Sequence, residues 1–351
     1  LKILLTCDYP FVSSGLSILA ESCYNELTKL GHSITPHSLF DHSGIERLLQ
    51  TEKFDVHLGV GHAGNSVEQI SLPKKYGLPT CVWYVSETCI TRFKDILPKA
   101  DSLLVTSNYS KKMFLEQSPE CKPSILYIGT DTDFFKPKPE KPSKLFSTFV
   151  SSGEVKGCEE VLSSISILSP KNLNFKYVVH SPHIEYKLEK DYMQRLRSVV
   201  QNNHLEKWVS LVGGLNIPKE KMPSLYQTMY FYMCSMRLGS FGIPIIEAGA
   251  CGVPTIAGNW EPMSEIIKDG ETGLLVPYMA QAQEPKFIEG TWYSERYKMI
   301  DIQLLAEKLS DLLQDEDKRN KLGQAARKDV MERFNIKTQI KSLEQELLGI
   351  V

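Results

Sequence analysis

Short apolar runs alternate with longer amphipathic stretches along most of the chain. Residues 2–7 form an apolar run of strand length, and 33–37, 55–60, 80–85 and 102–106 are further extended candidates. Over 17–30, Leu19, Cys23, Leu27 and Leu30 recur at helical spacing, and Gly31-His32 ends that helix. Helix-like stretches separate the other runs. Strand, helix, strand in this rhythm predicts a parallel sheet with helices on both faces.

The rhythm breaks at 134–142, where Pro137, Pro139 and Pro142 stand among charged residues. Such a segment continues neither a helix nor a central strand and reads as an interdomain linker. The alternation then resumes. Strands are expected at 145–150, 176–180, 208–212, 230–234 and 255–257, and helices at 158–168, 185–202, 221–228, 244–250 and 304–314. The reading is therefore α/β, with two Rossmann-like doubly wound parallel-sheet domains facing a central cleft. One spans 1–140 and the other 141–335. The helix near the end, 336–348, has Ile340, Leu343 and Leu347 on a common side, so 336–351 is expected to pack back on the first domain. Ligands of such sheets bind at the carboxyl ends of the strands.

Composition narrows the picture. Of the 351 residues, 42% are hydrophobic, ample for two cores. Lys and Arg number 40 against 42 Asp and Glu, a balance unlike that of a nucleic-acid-coating protein. No apolar run approaches the ~18–20 residues that cross a bilayer, and the opening residues are too short for a signal peptide. A soluble cytoplasmic protein is expected, with peripheral docking on a membrane left open. The eight cysteines show neither CxxC spacing nor a zinc-like cluster and read as buried, reduced thiols.

The most informative stretch is Gly239-Ser240-Phe241-Gly242-Ile243-Pro244-Ile245-Ile246-Glu247-Ala248-Gly249-Ala250-Cys251-Gly252-Val253-Pro254. A glycine-rich turn enters a small, apolar helix with proline near its first turn. The first N–H groups of a helix attract anions. Glu247, one turn in, can accept two hydrogen bonds from a vicinal diol such as a ribose. A tight turn with Glu247 as a dipole partner is the alternative.

With the following Glu265-Ile266-Ile267-Lys268-Asp269-Gly270-Glu271-Thr272-Gly273-Leu274-Leu275-Val276, this stretch resembles retaining glycosyltransferase family 4, whose architecture is the two-domain GT-B fold. Gly129–Pro137, and Val212-Gly213-Gly214 followed by Met222–Tyr226, are similar to weaker family segments. The resemblance implies transfer of a sugar from a UDP- or GDP-sugar to a hydroxyl of a glycan, lipid or small molecule, with retained anomeric configuration. It implies no cofactor beyond the donor and no metal; Asp131-Thr132-Asp133 matches a metal motif by letters only. No catalytic base is named, because the leaving phosphate itself helps deprotonate the acceptor.

The residues so implied are Lys156 and the helix start Ser240, Phe241, Gly242 and Ile243 for the diphosphate, Glu247 for the ribose, and Gly213 on the base side. In the first domain they are Gly15, in the loop after the first strand, and His62, after the 55–60 strand. An ordinary turn glycine and a plain polar loop histidine are the alternatives. Two departures stand out. The arginine that accompanies the family lysine has no equivalent, and Arg237 is a candidate substitute. The first of two family glutamates is replaced by Gly239. A catalytically inactive nucleotide-sugar-binding protein of the same fold is therefore the alternative function. A GT-B phosphorylase or epimerase is a further rival; a nicotinamide dehydrogenase would need a glycine fingerprint that is absent. Glu87 could touch the sugar or acceptor, or cap a helix. His180 and His183, flanking Ser181-Pro182, carry little weight. The aromatic stretch 277–300 reads as an insertion offering Trp292 and Tyr293 to a sugar, lipid or partner, or as a self-packed loop.

Overall fold

The computed structural model describes the chain except residues 13, 87–90, 139–142, 150–152, 183–185, 215–216, 281–285, 289–290 and 294–297, and the side chains of 91, 153–154, 279–280, 286–288 and 291–293. Glu87, His183 and part of the proline-rich segment thus lie outside the described residues, as do the side chains of Trp292 and Tyr293. The chain divides into two compact units. The first comprises Leu1–Gly129, the strands Lys286–Ile288 and Thr291–Tyr293, and Phe334–Val351; the second holds most of the remainder.

The first unit runs β1 (Lys2–Cys7), α1 (Gly15–Lys29), β2 (Ser33–Ser38), α2 (His42–Thr51) and β3 (Val56–Gly61). It continues with α3 (Leu72–Lys75), β4 (Thr80–Tyr84), β5 (Ser102–Val105), α4 (Asn108–Gln117) and β6 (Pro123–Ile125). The sheet is parallel throughout, in the order β2-β1-β3-β4-β5-β6. The chain direction across it reverses between β1 and β3. Val82, Tyr84, Leu103, Val105, Met113 and Phe114 pack as one core. The helix Ile336–Gly349 packs against α1, with Ile340, Leu343 and Leu347 fully buried. His32 Nε2 pairs with Glu344 at 2.7 Å and Ser102 Oγ donates to Glu346 at 3.1 Å.

The second unit runs β7 (Leu145–Phe149), α5 (Cys158–Leu168), β8 (Lys176–Ser181), α6 (Lys187–Asn202), β9 (Val209–Gly213) and α7 (Met222–Gln227). Then come β10 (Phe231–Cys234), α8 (Ile243–Ala250), β11 (Thr255–Gly258), α9 (Met263–Ile266), β12 (Gly273–Val276), α10 (Ile302–Gln314) and α11 (Glu316–Arg333). Its parallel strands follow the order β12-β11-β10-β7-β8-β9. This is the Rossmann order, with its topological switch point between β7 and β10. Phe146 anchors the core, stacking on Tyr177 at 4.9 Å and on Phe231 at 4.7 Å.

The proline-rich segment is only partly linker-like. Arg327 on α11 donates to the carbonyls of Thr132 and Phe135, each at 2.8 Å, and the Phe135 ring meets Tyr226 edge-on at 6.1 Å. Its described residues up to Lys138 thus begin by packing into the second unit. Asp131 Oδ1 accepts from the N–H groups of Asp133 and Phe134, which makes it a turn residue. The 277–300 stretch forms two short antiparallel ladders, Tyr278–Ala280 with Lys298–Ile300 and Lys286–Ile288 with Thr291–Tyr293.

Helix α11, absent from the sequence reading, fixes α8 from behind. Its Leu322, Ala326 and Val330 are buried at four-residue spacing, and a Cβ on Gly249 of α8 would already touch Val330 at 3.0 Å. A Cβ on Gly323 would lie 2.1 Å from the Gly252 carbonyl oxygen. We expect Gly323→Ala to destabilise the protein by ~1–3 kcal/mol, read as a lower urea midpoint with an unchanged slope.

Candidate functional site

Ligands of a Rossmann sheet sit outside the carboxyl ends of its strands at the switch point. In the second unit that is where the loops after β7 and β10 meet. The β7 loop ends in a single 3-10 turn, Gly153–Lys156, and Gly157 then adopts φ +60° to start α5. A Cβ there would be 2.2 Å from the Ser235 carbonyl oxygen, so glycine is required on both counts. The β10 loop binds this turn directly. Ser235 Oγ donates to the Lys156 carbonyl and the Arg237 N–H to the Val155 carbonyl, each at 2.7 Å. Lys156 is half-buried, and its Nζ lies 3.5 Å from Met236 Sδ, a weak acceptor.

Arg237 does not substitute for a missing phosphate ligand. Its Nε and Nη2 donate to the two carboxylate oxygens of Glu160, at 2.8 and 2.7 Å, and Nη2 also reaches Glu159 at 3.3 Å. Tyr192 donates to the same Glu159 oxygen. Burial alone would lower the arginine's pKa; the hydrogen bonds and charge of Glu160 outweigh it and raise it. The guanidinium is a buried structural cation, its fork already filled.

At the Gly239 departure the neighbouring group is the Met236 side chain. A Cβ at that position would lie 2.6 Å from Met236 Cε and 2.7 Å from Sδ. The thioether is the flexible end of its side chain, so the contact does not by itself require glycine.

The loop then turns through the buried Ser240 and Phe241 into α8, with Gly242 as N-cap and Pro244 in the first turn. Glu247 lies one turn in and is 8% exposed. Tyr226 on α7 donates to its Oε2 at 2.7 Å and so fixes the carboxyl's orientation. Burial raises the Glu247 pKa to about 7, against the Tyr226 hydrogen bond and the nearby charge of Lys219, which lower it. Tyr226 belongs to an aromatic group with Phe149 and Tyr232, at centroid distances of 5.7–6.1 Å. Gly213 ends β9, and the N–H of Gly214, at φ +72°, donates to the Ser181 carbonyl on β8.

The sequence-derived residues of the second unit therefore gather along one sheet edge. Lys156, Ser240–Ile243 and Glu247 border the switch point, while Gly213 stands further along, at β9. Gly15 and His62 belong to the first unit, at its own switch point. Gly15 is the exposed first residue of α1, behind the N-cap Ser14. His62 is exposed directly after β3, where its N–H donates to Asn65 Oδ1 at 3.2 Å. Tyr226, Lys219 and Met236 were missed by sequence reasoning. Tyr226 lies in a proline-started helical run, but nothing in the letters pairs it with Glu247.

Residues 130–287 match the family described as Glycosyl transferases group 1. The chain is 22% identical over 284 residues to the GDP-mannose-dependent alpha-(1-6)-phosphatidylinositol monomannoside mannosyltransferase of Mycolicibacterium smegmatis, covering 76% of this chain and 67% of that protein. It spans about two thirds or less of the length of that protein and of other mannosyltransferases it matches. Among solved structures, sucrose-phosphate synthase from Thermosynechococcus elongatus superposes with a TM-score of 0.79 at 16% identity, covering 100% of both chains. Anabaena Alr3699/HepE in complex with UDP gives 0.76 at 15%, covering 99% of this chain and 100% of that one. These likenesses establish the fold as GT-B, built from two Rossmann-like domains. By class the protein is a glycosyltransferase, and its likeness to the group 1 family is confined to residues 130–287.

Two outcomes follow from the site's chemistry. Arg237→Ala strands Glu160 as a buried unpaired charge and should cost ~3–5 kcal/mol of stability in urea unfolding. Glu247 binds a proton more tightly folded than unfolded. Its contribution to stability is therefore complete below about pH 4.5 and lost as pH rises through about 7. Glu247→Gln should remove that downward slope from stability measured between these pH values.

Proposed function

We propose that the protein is a retaining glycosyltransferase of family 4 that moves a sugar from a UDP- or GDP-sugar to an acceptor hydroxyl. The observation that carries this reading is Glu247 on the helix that follows β10, buried and aimed by Tyr226; the exit loop of that strand is hydrogen-bonded to the Lys156 turn at the Rossmann switch point. An ionised Glu247 accepts hydrogen bonds from the two ribose hydroxyls. Lys156 and the start of α8 receive the diphosphate. As the bond between the anomeric carbon and the β-phosphate oxygen breaks, charge grows on that oxygen, and the lysine stabilises it. The acceptor oxygen bonds to the same face of the anomeric carbon, and its proton passes to the departing phosphate. These groups call for no metal and no cofactor beyond the donor.

The relatives support the donor class: one is a GDP-mannose-dependent enzyme and one solved structure holds UDP. The acceptor is a glycan, a lipid or a small molecule; of the first-unit residues, Gly15 belongs to the loop assigned to the diphosphate and acceptor, and His62 to the catalytic set with Lys156 and Glu247. Among the described residues no helix is long and apolar enough to cross a membrane. Placement in the cytoplasm, with peripheral contact at a membrane where the acceptor is a lipid, belongs to the same reading.

Calorimetric titration with UDP and GDP, and turnover with the matching donor sugars, test it. Lys156→Ala and Glu247→Ala should each weaken nucleotide binding or turnover about tenfold or more, ~1.4 kcal/mol. Affinity should also fall below about pH 7, as Glu247 takes up its proton. Unchanged kinetics in both variants would remove the assignment. Binding without turnover of any donor would favour an inactive binding protein.

A further inference from the structure

His180 sits at the carboxyl end of β8 and is 8% exposed, yet neither ring nitrogen has a hydrogen-bond partner. A buried imidazole with both nitrogens unpaired is a costly arrangement that needs a reason. Its surroundings are specific. In the sheet register His180 lies opposite Phe149, the last residue of β7, and the two rings are 5.4 Å apart at 33°. Phe149 in turn meets Tyr226, whose hydroxyl holds Glu247. A continuous row, Glu247–Tyr226–Phe149–His180, thus runs along one face at the carboxyl edge of the second sheet. Ser181 Oγ is also buried and unpaired, but successive strand residues face opposite sides.

The row has a direction. Lys156 is tied to the β10 loop by Ser235, on one side of β7, whereas His180 is on β8, on the other side. Two strand spacings separate β10 from β8, about 10 Å. A ligand with its diphosphate at Lys156 and its ribose at Glu247 extends its third part towards β8.

Building on the donor-site reading above, we infer that His180 is a specificity-determining residue that hydrogen-bonds the nucleobase of the donor nucleotide. Burial lowers the pKa of its side chain to about 4, so the ring is neutral near pH 7. A neutral imidazole offers one N–H and one lone pair, which suits an uncharged base edge better than a phosphate. Both nitrogens are buried and unpaired in the free protein, at the last strand position but one before the chain leaves β8.

Calorimetry on the full chain with UDP, GDP and inorganic pyrophosphate tests this in the wild type, His180→Leu and His180→Gln. The leucine variant should lose about tenfold in affinity for the better nucleotide while pyrophosphate binding stays within about twofold, and glutamine should recover part of the loss. Thermal unfolding of the leucine variant should not fall below wild type, since an unpaired polar group is removed. Equal nucleotide affinity in all three proteins would overturn the inference, as would an equal loss for pyrophosphate. If the leucine variant fails to fold, the glutamine variant decides: a changed order of preference between UDP and GDP supports it, an unchanged order overturns it. Loss of UDP and GDP binding in Glu247→Ala, with none in His180→Leu, would sink this inference and spare the donor site. A wild type that binds neither nucleotide would sink both.

Discussion

The bond between two loops at the switch point of the second sheet is the constraint on which the candidate site depends. Strands β7 and β10 are neighbours in space but far apart in sequence, and their exit loops are fastened at three levels. Backbone and side-chain hydrogen bonds join Ser235 and Arg237 to Lys156 and Val155. Gly157 lets the two chains approach to a distance no side chain would allow. Beneath them the Arg237–Glu160 pair closes the interior. Such a pair adds little net stability, since desolvation offsets its attraction, but either partner left alone is strongly unfavourable. That asymmetry holds the β7 turn, and with it Lys156, against the start of α5.

Glu247 shows a related compromise from the other side of the site. A carboxylate that is to hold a diol must be aimed and partly dry, and drying raises its pKa. Tyr226 supplies the aim through one hydrogen bond and works against the shift. Helix α8 can place the group there because its rear is made of small residues that let α11 lie close, with Arg327 fastening the carbonyl of Ala250. A chain of packing thus leads from a charged, unremarkable-looking helix at 316–333 to the orientation of one carboxyl group.

Much of the fold was legible in the sequence because both sheets are parallel and buried on both faces, which leaves clear apolar runs between amphipathic helices. Helix 158–168 was read to the residue. The edge strands β6 and β12 were missed: the first is three residues long and opens on proline, and Gly273–Val276 was absorbed into a motif. Helix α11 was missed because its apolar stripe is only Leu322, Ala326 and Val330 among many charges. At the site, local features were readable: the glycine turn, Pro244, and Glu247 one turn on. Pairings across elements were not. The letters offered Arg237 as a free cation, and only the fold shows that Glu160 has taken it. That Gly239 stands where the resemblance expects a glutamate was visible, but its neighbour, the Met236 side chain, was not.

The central claim is that the second unit seats a nucleoside diphosphate by Lys156, the start of α8 and Glu247. A crystal of the full chain soaked with UDP or GDP tests it most directly. The account expects the β-phosphate within hydrogen-bond reach of Lys156 Nζ and both ribose hydroxyls on the Glu247 carboxylate. A nucleotide bound elsewhere, with those groups untouched, would contradict it.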